Sequence, residues 1–232
     1  MSFAALPERL AQVRAEIARR QRAGGWTHPV TIVAVTKGFG LDAVTAAHAA
    51  GLADIGENRV QEAVQKQEEL GAGSQGIRWH LIGHLQRNKA KLVPGRFALV
   101  QSVDSLELAT ELHKRASDRL RVLLQVNVAR EPQKSGCAPE DAPGLARQIT
   151  GLGQLQLEGL MTIGPMTDDE DVQRRTFRSL RALRDTIKEE GVWLPTLSMG
   201  MSADYATAVA EGATVIRLGT VLFGPRDKET TP

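Results

Sequence analysis

From residue 30 onward the chain alternates strand-like and helical segments, and that alternation limits the architectures open to it. Apolar, β-branched runs fall at 30–37, 53–57, 78–83, 97–101, 121–128, 157–163, 196–200 and 213–218. Helical periodicities fill the gaps at 41–51, 59–70, 85–92, 104–117, 138–151, 168–190 and 202–211, and several open on cap-like residues, such as Asp104-Ser105 and Ser202 followed by Asp204. Strands separated by helices read as parallel, joined by right-handed crossovers. About eight such units in 232 residues predict an α/β fold, a single compact (β/α)8 TIM barrel. A doubly wound open sheet is the alternative, since a sequence does not show that a sheet closes. An extra helix at about 6–22 precedes the first strand, with Leu6, Leu10, Val13 and Ile17 on one face. The looser stretches 71–76 and 130–136 read as loops inside one domain spanning 1–232.

Composition removes several classes of function. The net charge of +2 shows no basic stripe, and aromatic residues at 4% disfavour a base-stacking surface, so nucleic acid is not an expected partner. Cys137 is the single cysteine, which excludes an internal disulfide or a cysteine metal cluster. No window approaches the roughly 20 apolar residues of a membrane span. Met1 to Glu8 lack a basic segment followed by an apolar one, so no signal peptide is expected and a cytoplasmic protein is the plain reading. With no heptad pattern or broad apolar stripe, a monomer is expected.

In a barrel of this kind the site lies where the strands end. Lys37 ends the run Val30–Thr36 and is followed by Gly38-Phe39-Gly40, which delivers an amine to the rim of the sheet. Desolvation there favours the neutral amine, which can form a Schiff base with a carbonyl compound. The bland alternative is a solvated lysine closing a strand. Near the other end, Leu197-Ser198-Met199-Gly200-Met201-Ser202-Ala203-Asp204 and Ile216-Arg217-Leu218-Gly219-Thr220 follow the last two strands. Loops in that position commonly hold phosphate through backbone N–H groups, with Ser202 and Thr220 adding hydroxyls. An amine-reactive aldehyde carrying a phosphate meets both ends, and pyridoxal 5′-phosphate (PLP) is such a ligand. Arg217 would then face the pyridine nitrogen, where a cation disfavours ring protonation and weakens the ring as an electron sink.

Competing motifs are weaker. Gly38-Phe39-Gly40-Leu41-Asp42-Ala43 fits a dinucleotide-binding turn, with Asp54 and Glu57 downstream, but βα units continue well past one nucleotide-binding half. His80 and His84 are four apart on a strand and its exit, without a carboxylate at a metal-binding spacing, so structural or pocket roles are expected. The run Asp168–Asp171 reads as the acidic start of a solvated helix.

Several stretches together resemble the YggS/PROSC family, the pyridoxal phosphate homeostasis proteins. They are Ala34–Lys37, Gly56–Glu62, Trp79–Gly83 with Leu85-Gln86 and Asn88-Lys89, Gln125–Asn127, Lys134–Gly136, Gly159–Met161, Leu197–Ser202 and Arg217–Thr220, in order across the chain. The resemblance implies a barrel like the N-terminal domain of alanine racemase (fold type III), with PLP carried as an aldimine on Lys37. It places phosphate contacts at Ser202, Gly219 and Thr220, Arg217 at the pyridine nitrogen and Asn58 in the pocket. His80, Met161, Ser198 and Met201 complete the expected cofactor site, and Lys134 is a second lysine that such a site leaves open. His84 departs from the family pattern, where a smaller or non-ionisable residue is expected. The implied role is storage or delivery of cofactor, with PLP-dependent apoenzymes as recipients. The alternative is a racemase-like enzyme using Lys37. Racemization needs two bases on opposite faces of the substrate carbon. Racemase relatives take the second, a tyrosine, from a further domain, whereas Tyr205 is the only tyrosine here. A non-catalytic role is therefore expected.

Overall fold

A computed structural model describes residues 3–225. Eight parallel strands close in sequence order: β1 (Thr31–Val35), β2 (Asp54–Glu57), β3 (Arg78–Leu81), β4 (Leu99–Val103), β5 (Leu120–Gln125), β6 (Leu155–Met161), β7 (Thr196–Ser198) and β8 (Val215–Leu218). Closure rests on β1 pairing with β8, from Thr31 opposite Val215 to Ala34 opposite Leu218, which removes the open-sheet alternative. Outside lie α1 (Leu6–Gly24), α2 (Leu41–Ala49), α3 (Val60–Leu70), α4 (Leu106–Arg115), α5 (Ala142–Thr150), α6 (Glu170–Glu189), α7 (Tyr205–Ala210) and α8 (Thr220–Phe223).

The strand alternation sorts the core into two. Ile32 and Ala34 of β1 face the helices and join the main cluster with Ile55, Leu81 and Phe177. Val33 and Val35 point into the barrel beside Gly56. A smaller interior cluster, Leu99, Leu123 and Met161, is covered by Ile163. Helix α1 buries Leu6, Leu10, Val13 and Ile17 and packs on α7 and α8. Burying each of those side chains is worth roughly 2 kcal/mol, which explains why a helix outside the βα repeat stays attached.

Three local expectations differ from the structure. Within 85–92 only Arg87–Leu92 is helical, a short 3₁₀ turn in which Lys89 N–H donates to the Gln86 carbonyl and Val93 N–H to that of Ala90, and Pro94, with no N–H, ends it. Ser202 does not cap the helix expected at 202–211, which starts only at Tyr205 behind Asp204. The turn α8 is too short to leave a period in the sequence. The acidic start expected at 168–171 is present: the Asp169 carboxylate accepts from Asp171 and Val172 N–H at 2.9 and 3.1 Å.

Candidate functional site

The C-terminal ends of β1, β7 and β8 meet at one side of the barrel mouth. Gly219 lies against the end of β1: a Cβ built on it would stand 3.5 Å from the Val35 carbonyl oxygen. Lys37 follows two residues later, half-buried, and lines a cleft of about 950 Å³ shared with Phe39, Asn58, Arg59, Glu62 and Lys89. Two N–H groups, of Gly219 and Val221, both donate to the Ser202 hydroxyl at 3.2 Å. The loop after β7 is thus tied to the turn after β8, and donors converge there, with Thr220 exposed between them. Gly200 makes that loop possible: its φ is +95°, and a Cβ would lie 2.6 Å from the Ala208 Cβ. Asp204 holds the loop by accepting from Met201 N–H at 2.6 Å, which orients Met201 at the rim.

The backbone on both sides of Lys37 is clamped by one charge cluster. Lys66 Nζ donates to the Thr36 carbonyl at 2.9 Å, to Glu57 Oε1 at 2.7 Å and to Glu62 Oε1 at 2.9 Å. The Thr36 hydroxyl donates to Glu57 Oε1 at 2.5 Å, and Gly38 N–H donates to Glu62 Oε1 at 3.0 Å. Glu57 is fully buried and its Oε2 has no hydrogen-bond partner. Burial pushes its carboxyl up to about 7, against the attraction of Lys66 and the Thr36 hydrogen bond. Burial also raises Glu62, but Gly38 N–H and Lys66 outweigh it and hold that carboxyl below its usual range.

Beneath the mouth a polar chain crosses the barrel. Arg217, buried on β8, donates from Nη1 to the Ser198 hydroxyl at 2.6 Å and from Nη2 to the Thr162 carbonyl at 2.7 Å. Ser198 donates to Gln101 Oε1 at 2.6 Å, and Gln101 Nε2 meets His80 Nδ1 at 2.9 Å. His80 Nε2 meets Asp54 Oδ1 at 2.9 Å, and Arg78 grips the same carboxylate with Nε and Nη2 at 2.8 and 2.5 Å. Burial lowers Arg217 to about 10, with Asp204 opposing, so the guanidinium stays cationic at neutral pH. Asp54 is raised by burial, but hydrogen bonds from His80 and Arg78 win and hold it near about 2. Asp54 is thus the anion of the barrel floor, at the strand end opposite the mouth.

Of the residues singled out by sequence, Lys37, Asn58, Met201, Ser202, Gly219 and Thr220 lie at the mouth, and Ser198 and Arg217 lie just below. His80 sits deeper than a strand exit, level with Gly56 of β2, and Met161 is packed inside the interior cluster. Asn58 is held by Gly83, where a Cβ would fall 2.4 Å from the Asn58 carbonyl oxygen. His84 is exposed on the rim, 3.5 Å from Asp104. Lys134 donates to Glu131 Oε1 at 2.5 Å and to the Gly164 carbonyl at 2.7 Å. Tyr205 is flanked by Glu16, Arg19 and Arg20 of α1, on the outside of the barrel. Sequence reasoning missed the Lys66 clamp and Gln101, and offered Asp54 only to a dinucleotide. The available signal was polar residues inside apolar strand runs. Among the described residues no group of three His, Cys, Asp or Glu could hold a metal ion, and no helix is long and apolar enough to cross a membrane.

Residues 9–227 match the family described as alanine racemase, N-terminal domain. The chain is 44% identical over 227 residues to the pyridoxal phosphate homeostasis protein of Pseudomonas aeruginosa, covering 96% of each. It is 40% identical over 224 residues to the protein of that name from Aquifex aeolicus, covering 94% of this chain and 97% of the relative. Among solved structures, PipY of Synechococcus elongatus with PLP bound superposes with a TM-score of 0.84 at 38% identity, covering 94% of this chain and all of PipY. An alanine racemase from Clostridium difficile superposes at 0.75 with 14% identity, covering 94% of this chain and 61% of the racemase, a likeness of fold alone. A closed eight-stranded barrel and this full-length similarity agree: the chain belongs to the pyridoxal phosphate homeostasis proteins, within the alanine racemase N-terminal-domain family.

Proposed function

We propose that this chain is a PLP-binding protein of cofactor homeostasis, storing and releasing PLP in the cytoplasm without catalytic turnover, as a monomer of one domain. The observation that carries this is the convergence of Gly219 and Val221 N–H on the Ser202 hydroxyl, against the end of β1 that leads to Lys37. The residues fit the group: an amine at the rim, backbone donors and hydroxyls for a phosphate, and the buried Arg217 cation between them. The PLP-bound PipY, at 38% identity, supports the same ligand. When bound, PLP would supply an aldehyde that condenses reversibly with amines. Lys37 would hold it covalently, while Ser202, Gly219 and Thr220 would hold the phosphate. Arg217 would keep its cation toward the pyridine nitrogen and oppose a proton there. Asn58 and Met201 would form the wall, and His80, Met161 and Ser198 would support it from below. Release would go to a free amine or to a lysine of a recipient apoenzyme.

Tyr205, the only tyrosine, is directed at α1, so the racemase-like alternative has no second base from that residue. The test is the visible absorbance of the protein with PLP, followed by borohydride reduction and peptide mapping. A reduced adduct on Lys37, with no exchange of the α-proton of amino acids in deuterated water, is the expected result. Protein that stays colourless with PLP, or exchanges that proton catalytically, overturns the reading. Lys37→Ala should lose the adduct but keep a weaker, phosphate-anchored affinity.

A further inference from the structure

We propose that His80, oriented by Asp54 and Gln101, is a positioning residue for Arg217, so that the floor of the barrel sets the cation at its mouth; this rests on the PLP reading above. The basis is the direction of the hydrogen bonds. Arginine only donates and an ionised carboxylate only accepts, so a chain that runs between them has one permitted sense. Arg217 donates to Ser198 Oγ, whose proton must go to Gln101 Oε1. The Gln101 amide nitrogen then faces His80 Nδ1, which must accept. His80 thereby carries a proton on Nε2, and that N–H goes to Asp54.

Each member comes from a different strand: Asp54 from β2, His80 from β3, Gln101 from β4, Ser198 from β7 and Arg217 from β8. Asp54, His80, Gln101, Ser198 and Arg217 are all buried, so water does not offer replacement partners at low cost. Were His80 to carry its proton on Nδ1, Gln101 would have to turn its oxygen toward it. The amide nitrogen would then face Ser198, which would receive donors from both sides and lose the acceptor for its own proton. The error would propagate to Arg217. The Asp54 carboxylate, gripped by Arg78, calls for a donor at Nε2 and so excludes the tautomer protonated at Nδ1 alone. None of Asp54, His80 and Gln101 belongs to the mouth loops that carry Lys37, Ser202 and Thr220, and the hydrogen-bond chain links them to Arg217.

Two variants break the chain at opposite ends: Asp54→Asn at the floor and Ser198→Ala near the mouth. The first turns an acceptor-only end into a group that also donates, while Arg78, with its side chain 55% exposed, can rehydrate. The readouts are the ¹⁵N shifts of the His80 ring in protein without PLP, and the dissociation constants for PLP and for inorganic phosphate. Wild type should show a single tautomer protonated at Nε2, and both variants should show a mixture. Asp54→Asn should weaken PLP by about tenfold, a typical coupling between linked sites, with inorganic phosphate within about twofold of wild type. By the same reciprocity PLP, and not phosphate, should move the His80 signals in wild type. A merely structural role would lower stability without changing tautomer or the ratio of the two affinities. An unchanged tautomer in both variants, or wild-type PLP affinity in folded Asp54→Asn, overturns the proposal. Wild type that binds no PLP sinks the functional reading and the link to the cofactor ring; the tautomer measurement still decides whether floor and mouth are coupled.

Discussion

Glu57→Gln should change how the fold responds to pH, by an amount the structure sets. Burial displaces the Glu57 carboxyl from its ordinary 4.5 to about 7 in the folded chain. Between those values the folded chain holds a proton that the unfolded chain has released, so stability is present below 4.5 and is lost as pH rises through about 7. The full displacement, at about 1.4 kcal/mol per pH unit, is about 3 kcal/mol. From about pH 5 to about pH 8 the loss comes to about 2.5 kcal/mol. Glutamine fills the same space and cannot titrate. Its amide leaves an N–H at the buried position where Oε2 has no partner, a cost of about 1–3 kcal/mol that does not vary with pH. Contributions from groups outside the clamp, such as Asp54, are common to both proteins and cancel. Urea unfolding followed by far-UV circular dichroism should therefore show the variant gaining on wild type by about 2.5 kcal/mol between those pH values. With a urea slope of about 2.5 kcal/mol per molar, that is a relative midpoint shift of about 1 M. Parallel profiles, agreeing within about 0.5 kcal/mol across the range, would refute the assignment of Glu57 as the proton-holding group of the clamp.

Other outcomes follow from single contacts. Gly83→Ala should lower stability by about 1–3 kcal/mol and weaken PLP binding, because its methyl would collide with the Asn58 backbone. Gly144→Ala in α5, where an added Cβ meets nothing, should instead stabilise by about 0.5–1 kcal/mol; thermal unfolding compares the two. Glu211→Gln removes the carboxylate that Arg174, Arg178 and Arg181 share, and should cost about 2 kcal/mol, roughly 4–8 °C in Tm. Arg178 and Arg181 hold Glu211 below its ordinary 4.5 despite burial, so the difference from wild type should vanish as pH falls through that lowered value. Burial pushes the Cys137 thiol up to about 12, so disulfide reagents should label it only upon unfolding; fast labelling of the native protein would contradict its buried place.

The barrel was legible because strand runs and helical periods are local signals, and Lys37 and the two glycine-containing loops stand at the strand ends where such barrels work. What was not legible depends on contacts between distant residues. Closure needs β1 beside β8, and the sequence carries no mark of that pairing. The Ser202 hydroxyl looked like a cap for its own helix and instead serves the turn after the next strand. Asp54, His80 and Gln101 stand on three different strands beside other polar residues, Glu57, Arg78 and Ser102, and meet only once alternation turns each inward. The Lys66 clamp joins α3 to the residue before Lys37, across thirty positions.

That clamp bears on the entropy of loading. A lysine on an unordered loop would have to fix about 1–2 kcal/mol of backbone freedom per residue each time it captured a ligand. Here the carbonyl before Lys37 and the N–H after it are already held, by Lys66 and Glu62. Capture then costs at most the ordering of one side chain, about 2 kcal/mol. Loading at that amine would then call for no rearrangement of the backbone that carries it.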